Sequence, residues 1–453
     1  MEQKQEILVI GGGLAGCEAA LLAARLGMPV RLVEMKPEHY TPAHHEPLLG
    51  ELVCSNSLRS ADPTSAVGLL KLEMALLGSA VMAAARATAV GAGKALAVDR
   101  RRFAAHLDQA VEQHPLITRQ CRRVTSLPHH DPSILATGPL TDHELAQDLA
   151  RLTGAQGLHF YDAIAPIVSA ESVDMNHAFW ADRYDDEHPG DYLNCPLSED
   201  EYHRFYQALV SAEQVPLKEF EKPRFFEGCL PIEVMAARGE KTLLFGPMKP
   251  VGLVDPRTGR RPFAVVQLRK EDAQGRLLNL VGFQTKLTHP AQLEVFRLIP
   301  ALARAEFVRL GSIHRNTFLD APRLLTPDCR LKAAPHVFVA GQLSGVEGYV
   351  ESAASGLLCG LNAVRRARGL DPALPPPTTA LGGLLAHLQN TASKNFQPSN
   401  INFGLLPPLP PVEGHKKIPK RQRGLFHARR AISDLLAWLE SLGLEPAEAP
   451  PRL

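Results

Sequence analysis

An α/β fold, with a buried parallel sheet split by an inserted α+β domain, is predicted by three observations. Residues 7–34 read ILVIGGGLAGCEAALLAARLGMPVRLVE, an apolar run, a glycine turn, an Ala/Leu-rich stretch and a second apolar run ending in an acid. Residues 335–365 read PHVFVAGQLSGVEGYVESAASGLLCGLNAVR, again an apolar run, a glycine-rich turn and a small-residue helix. The chain between them is long enough for a domain of its own, and 453 residues exceed one ordinary unit.

Each element follows from its residues. Ile7 to Ile10 lack polar alternation, as a parallel strand buried on both faces requires. Gly11 permits a tight turn, Gly13 lets backbone amides approach a pyrophosphate, and Gly16 lets the helix pack close to the strand. Gly12, Leu14 and Ala15 complete the turn and the first helical residues, whose free N–H groups and dipole favour a phosphate. Gly27 ends the helix, and Glu34 lies about 20 residues beyond the turn, where a carboxylate takes ribose hydroxyls and repels a 2′-phosphate. The tightly held nucleotide is therefore expected to be FAD or NAD, not NADP.

The later segment favours FAD. It resembles the returning segment of glutathione-reductase-like flavoproteins, which passes the ribityl chain and aims a helix at the flavin ring. SILATG at 133–138 resembles the crossing strand of the same fold. The expected architecture is a glutathione-reductase-like FAD-binding Rossmann domain with an inserted α+β domain. Gly341, Gln342, Gly345 and Gly348 are candidate backbone and ribityl contacts, because glycine allows close approach. Tyr349 either stacks near the isoalloxazine or is a core tyrosine.

Residues 1–151 and 309–376 are assigned to the FAD-binding domain, 152–308 to the insert, and 377–453 to a basic C-terminal accessory segment. In the insert, DEYHRFYQALVSA at 200–212 predicts an amphipathic helix, and two β-branched runs around DAQG predict a hairpin. DPALPPPTT at 371–379 reads as a linker or extended boundary.

Composition narrows the class. Hydrophobic residues at 45% and charged residues at 21% describe a soluble globular protein. Met1 leads directly into the first strand and no apolar stretch is long enough to span a bilayer, so a cytoplasmic protein without a membrane partner is expected. Seven cysteines without regular spacing argue against a disulfide framework, and no Cys/His pattern suits a metal. A net charge of +1 excludes a globally basic nucleic-acid binder but leaves local patches. These are HKKIPKRQRGLFHARRA at 415–431, RRRF at 100–103 and RQCRR at 119–123, each a phosphate contact or a solvated face.

Two cysteines stand out. Cys54 lies in GELVCSNSLRS, where Arg59 would favour a thiolate. Cys229 lies in FFEGCLPIEVMA, where Glu227 and Glu233 would oppose one. Against both stands the usual role of free cysteine as a small buried hydrophobe, a reading that suits Cys17 and Cys359. Cys121, Cys195 and Cys329 have no chemically suggestive surroundings.

ELVCSNSLRS, FFEGCLPIEVMA, LFGPMKPVGL, VQLRKED, GFQTKL, GQLSGVEGYVESAASGL and NFQPSNINFGLLPPL together resemble the folate- and FAD-dependent tRNA (uracil-5-)-methyltransferase family. Ser399 departs from the Met expected there. The resemblance implies transfer of a one-carbon unit from 5,10-methylenetetrahydrofolate to C5 of the T-loop uridine of tRNA, with FAD reduced by transiently bound NADPH or NADH and no stable protein partner. It also implies that a thiolate adds to uracil C6, since C5 is otherwise a poor nucleophile. That role is carried to Cys229. Cys54 becomes its partner near the flavin, either removing the C5 proton or guarding the one-carbon unit, and the division between the two stays open. Lys249, Arg269 and Lys286 lie in family-like strings and meet RNA, folate carboxylates or solvent. The competing readings are a flavoprotein of tRNA wobble-uridine modification, a flavin oxidoreductase of a small metabolite, and a non-enzymatic RNA-binding flavoprotein.

Overall fold

Apolar side chains gather into two separate cores, one built from both ends of the chain and one from its middle. The computed structural model describes residues 5–154, 158–184, 190–216, 230–391, 396–410, 418–451 and 453. The first part runs β1 (Ile7–Ile10), α1 (Leu14–Arg25), β2 (Val30–Glu34), β3 (Ser57–Ser60), α2 (Ala66–Leu76), α3 (Ala80–Ala87), β4 (Ala89–Val90), β5 (Ala95–Val98), α4 (Arg100–Glu112), β6 (Ile117–Cys121), β7 (Ser133–Leu135) and α5 (His143–Thr153). The middle runs β8 (Leu158–Ala163), β9 (Ile167–Ser169), β10 (Phe179–Trp180), β11 (Tyr192–Leu197), α6 (Glu199–Ser211), α7 (Ile232–Ala236), α8 (Thr242–Phe245), β12 (Ala264–Lys270), β13 (Leu277–Leu280), α9 (His289–Phe296) and β14 (Phe307–Arg309). The return comprises β15 (Ile313–Phe318), α10 (Ala321–Leu324), β16 (Arg330–Leu331), β17 (Ala334–Val339), α11 (Tyr349–Ala367), α12 (Ala380–Leu388) and α13 (Arg423–Ser441).

The first sheet has the order β16-β17-β7-β1-β2-β6. Its β17, β7, β1, β2 and β6 are parallel, and β16 is an antiparallel edge. β1 is buried along its whole length, as its unbroken apolar run requires. The SILATG strand is β7, lying between β1 and β17, so the opening and returning segments meet around one crossing strand. Helices α1 and α11 pack together through small residues. A Cβ on Gly356 would lie 2.1 Å from the Ala15 carbonyl oxygen, so this crossing admits nothing larger than glycine.

The second sheet is antiparallel, in the order β10-β11-β12-β13-β9-β14. Tyr202, Phe205, Phe283 and Phe296 are fully buried in its core. The expected amphipathic helix is α6, begun by a reciprocal Ser198–Glu201 capping box. The expected hairpin is β12–β13. β8 and β15 pair antiparallel as a separate two-stranded sheet.

After residue 377 the chain returns to the first core, where Leu381, Leu384, Ala431, Leu435 and Leu439 are buried. The proline-rich stretch is extended but pinned rather than loose. Asn362 accepts from the Ala373 N–H (2.7 Å) and donates to its carbonyl oxygen (3.2 Å). Two buried carboxylates serve helix starts from a distance. Glu18 accepts from the Ala80 and Val81 amides (3.1 and 3.0 Å), and Glu73 from those of Ala380 and Leu381 (2.7 and 2.9 Å). Among the described residues no single helix is long and apolar enough to cross a membrane.

Candidate functional site

The opening glycine turn has the geometry its sequence predicts. Gly11 has φ 101°, and a Cβ on Gly16 would lie 1.8 Å from the Gly11 carbonyl oxygen. A Cβ on Gly13 would meet nothing within 4 Å, so open space lies beside the start of α1, which no side chain caps. Leu14 and Ala15 are buried in the first turn. Glu34, at the end of β2, accepts hydrogen bonds from the Gly12 amide (2.6 Å) and the Lys36 amide (3.0 Å). A carboxylate has about four acceptor positions, so lone pairs remain for ribose hydroxyls. Uncapped amides, open space and a fixed acid are the requirements of a dinucleotide pyrophosphate and ribose.

The returning segment supplies a second uncapped helix start. Gly341, Gly345 and Gly348 have φ of 76°, 96° and 102°, left-handed conformations that side chains resist. Gly348 precedes α11 with no side-chain cap. The half-buried Gln342 donates its amide to Glu347. Glu347 is itself buried, and burial together with Asp162 holds its carboxyl well above the usual carboxylate range.

Cys54 meets this helix directly. The Tyr349 hydroxyl accepts from the Cys54 backbone N–H (2.7 Å) and from its thiol (3.0 Å). Tyr349 is therefore a polar partner of the cysteine loop rather than a plain core tyrosine. Burial, reinforced by Asp162, pushes the Cys54 thiol up to about 12, against the opposing effects of Tyr349 and Arg100. The expectation that Arg59 favours a thiolate fails. Arg59 pairs with the fully buried Glu351, whose same oxygen accepts from the Ile401 amide (2.9 Å).

Three arginines absent from the short motif surround the cysteine loop. Arg269, on β12, is buried and donates to Asn56 Oδ1 (3.0 Å) and Ser55 Oγ (3.0 Å), so it braces the loop instead of meeting RNA or solvent. Arg100, the first residue of the RRRF cluster, pairs with Glu271 (2.8 Å) and donates to the Leu52 carbonyl, which removes it from any RNA-facing role. Arg309, at the end of β14, buries Nε and Nη2 without a hydrogen-bond partner. Burial, reinforced by the like charge of Arg100, lowers its pKa to about 10, against the opposing effects of Glu271, Tyr349 and Cys54, so it stays cationic at neutral pH. Only unpartnered donors betray such a residue, and they are invisible before folding. Asn400 likewise reaches the site from the tail, donating to the Glu347 carbonyl oxygen (2.6 Å).

The other candidates divide. Cys229 and Glu227 lie outside the described residues. Past them, Leu230 is buried and the Ile232 N–H bonds to the Gln284 carbonyl oxygen (2.7 Å). Glu233 is buried and accepts from the Lys286 amide (2.7 Å) and Thr285 hydroxyl (2.9 Å). Lys249 and Lys286 are half-buried. Cys17, Cys195, Cys329 and Cys359 are buried. In the RQCRR cluster, Arg119 pairs with Asp108 and Arg123 with Asp142 and Glu144. Lys416 and Lys417 lie outside the described residues, whereas Lys420 and Arg421 are exposed.

Comparison with known proteins agrees with this arrangement. The family description "Glucose inhibited division protein A" (GIDA) matches residues 6–371. Among solved structures, Aquifex aeolicus GidA in its form II crystal aligns with TM-score 0.69 at 16% identity, over 98% of this chain and 74% of that one, a likeness of fold. Two curated relatives, both named methylenetetrahydrofolate--tRNA-(uracil-5-)-methyltransferase TrmFO, are far more similar. That of Desulfotalea psychrophila is 56% identical, over 97% of this chain and 98% of its own. That of Geobacter sulfurreducens is 57% identical, over 96% and 99%. With both chains matched almost end to end at more than half their residues, this protein belongs to the TrmFO family.

Proposed function

We propose that the protein uses its two converging helix starts to hold FAD and its Cys54 loop to work beside the flavin. It is an enzyme that methylates tRNA uracil at C5 with methylenetetrahydrofolate as one-carbon donor. The observation that carries this is identity of 56–57% with TrmFO relatives across 96–97% of the chain. The same match leaves the wobble-uridine and small-metabolite readings without support.

When bound, FAD supplies the electrons that turn a transferred methylene into a methyl group. The chain's own residues do the rest. The amides at the start of α1 would hold the pyrophosphate, Glu34 the ribose, and the uncapped start of α11 would serve the rest of the cofactor. Cys54 and Tyr349, joined through the thiol hydrogen, would hold or move a proton, and Arg309 would offer its unpartnered N–H donors to an oxygen of a bound ring. Cys229 is assigned the addition to uracil C6, the T-loop uridine is the target, and NADPH or NADH is the transient reductant. A cytoplasmic setting accords with tRNA as substrate.

The test is incorporation of label from methylenetetrahydrofolate into an unmodified T-loop minihelix by the reduced enzyme. Label in uracil is expected, and its absence with competent folate and flavin would reject the reading. With a 5-fluorouridine minihelix, Cys229→Ala should abolish covalent trapping while FAD stays bound.

A further inference from the structure

The inserted domain displays an exposed aromatic ring against the loop that carries unneutralised arginines, and nothing in the reaction above uses it. Tyr184 exposes 73% of its surface. Tyr184 is not loose. Its φ is 63°, a conformation a bulky residue adopts only where its surroundings impose it. Its N–H bonds to the Gly252 carbonyl oxygen (3.1 Å), and its ring lies so close over Gly252 that a Cβ there would be 2.7 Å away. Arg183 braces the same loop by donating to the Val251 carbonyl oxygen (2.8 Å) and to Gln267.

From Gly252 the loop continues through the exposed Val254 to Asp255, whose N–H bonds to the Arg260 carbonyl oxygen (3.0 Å). Chain reach therefore puts the backbone of Arg260 within about 15 Å of the Tyr184 backbone. Arg257 is neutralised by Asp255 (2.7 Å). Arg260 and Arg261 are exposed, and among the described residues neither guanidinium has an ion-pair or hydrogen-bond partner.

Rigidly exposed rings mark interaction sites, and rings beside cations suit one partner chemistry in particular. Unpaired nucleotides stack bases on aromatic faces and give phosphates to guanidinium groups. We infer that Tyr184, Arg260 and Arg261 dock an unpaired segment of the RNA substrate, an inference that rests on the tRNA reading above. β12 starts just after this loop and ends beside Ser55 and Asn56, and a seven-residue strand spans about 20 Å. The docked segment is accordingly a neighbouring part of the folded RNA and not the reacting uridine.

The test measures binding of intact, fluorescently labelled tRNA transcript to the full-length flavin-loaded enzyme across a salt series. Arg260→Ala/Arg261→Ala should lower the slope of log affinity against log salt by about 1.5, since each phosphate contact contributes about 0.7–0.9. Tyr184→Ala should weaken binding about tenfold without changing the slope, and Tyr184→Phe should bind as wild type. Unchanged affinity and slope in all variants, with the wild type still binding, would overturn the docking face alone. A wild type that binds no tRNA would overturn both this inference and the tRNA reading. Loss of a dimer in sedimentation by Tyr184→Ala, with RNA binding intact, would assign the face to a second copy and overturn it equally.

Discussion

The Cys54 thiol and the Tyr349 hydroxyl are 3.0 Å apart across 295 residues of sequence. The pair ties the loop after β2 to the first residue of α11, so the cysteine and the returning helix form one unit.

Alkylation of Cys54 should be slow at pH 7 and should accelerate about tenfold per pH unit up to pH 10, because only the thiolate reacts and burial holds the thiol up to about 12. Peptide mapping after timed iodoacetamide treatment separates Cys54 from the exposed Cys121. Tyr349→Phe should slow the reaction further, since the hydroxyl favours the thiolate. A rate that is flat between pH 7 and 9 would mean that the thiolate is already formed.

Arg269→Ala should cut kcat about a hundredfold while leaving FAD absorbance in place. It frees Ser55 and Asn56, the two residues after the cysteine, and small displacements of reacting groups cost that much. Arg269→Lys should recover only part of the loss, because a single ammonium cannot reproduce two bonds from one planar group.

Arg309→Met should separate stability from activity. Removing a buried cation whose Nε and Nη2 have no partner should leave the urea midpoint unchanged or raise stability by about 1 kcal/mol. The same change should lower kcat/KM at least tenfold. A large loss of stability would instead make Arg309 structural.

Through two buried carboxyls stability should fall as pH rises from about 4.5 to 7, above which Lys71, lowered by burial to about 7, works the other way. Burial raises Glu18 to about 7 and Glu73 to about 8, above their unfolded values. In that window the folded state therefore holds more protons than the unfolded one, and raising pH favours unfolding. Thermal midpoints of Glu73→Gln across pH 5–7 should vary less than those of the wild type.

The nucleotide half of the site is legible because its information is local. Gly11, Gly13, Gly16 and Glu34 lie within one βαβ unit, where spacing dictates geometry. The Cys54 surroundings are legible only in part. A sequence neighbour, Arg59, promises a positive charge that Glu351 claims, 292 residues away. The charges that do reach the thiol come from Asp162, Arg100 and Glu347. Arg269 illustrates the same limit, because nothing near it in sequence announces that Ser55 and Asn56 will receive its guanidinium. Periodicity reports burial and turns, whereas partners chosen across domains appear only once both cores have assembled.

Three widely separated stretches must meet before the cysteine loop is finished: the loop itself, β12 with Arg269, and the segment from Tyr349 to Ile401. On the ribosome the first two emerge long before the third. A nascent chain stopped short of α11 thus carries its thiol without its tyrosine, and competence waits on the residues from Tyr349 to Ile401.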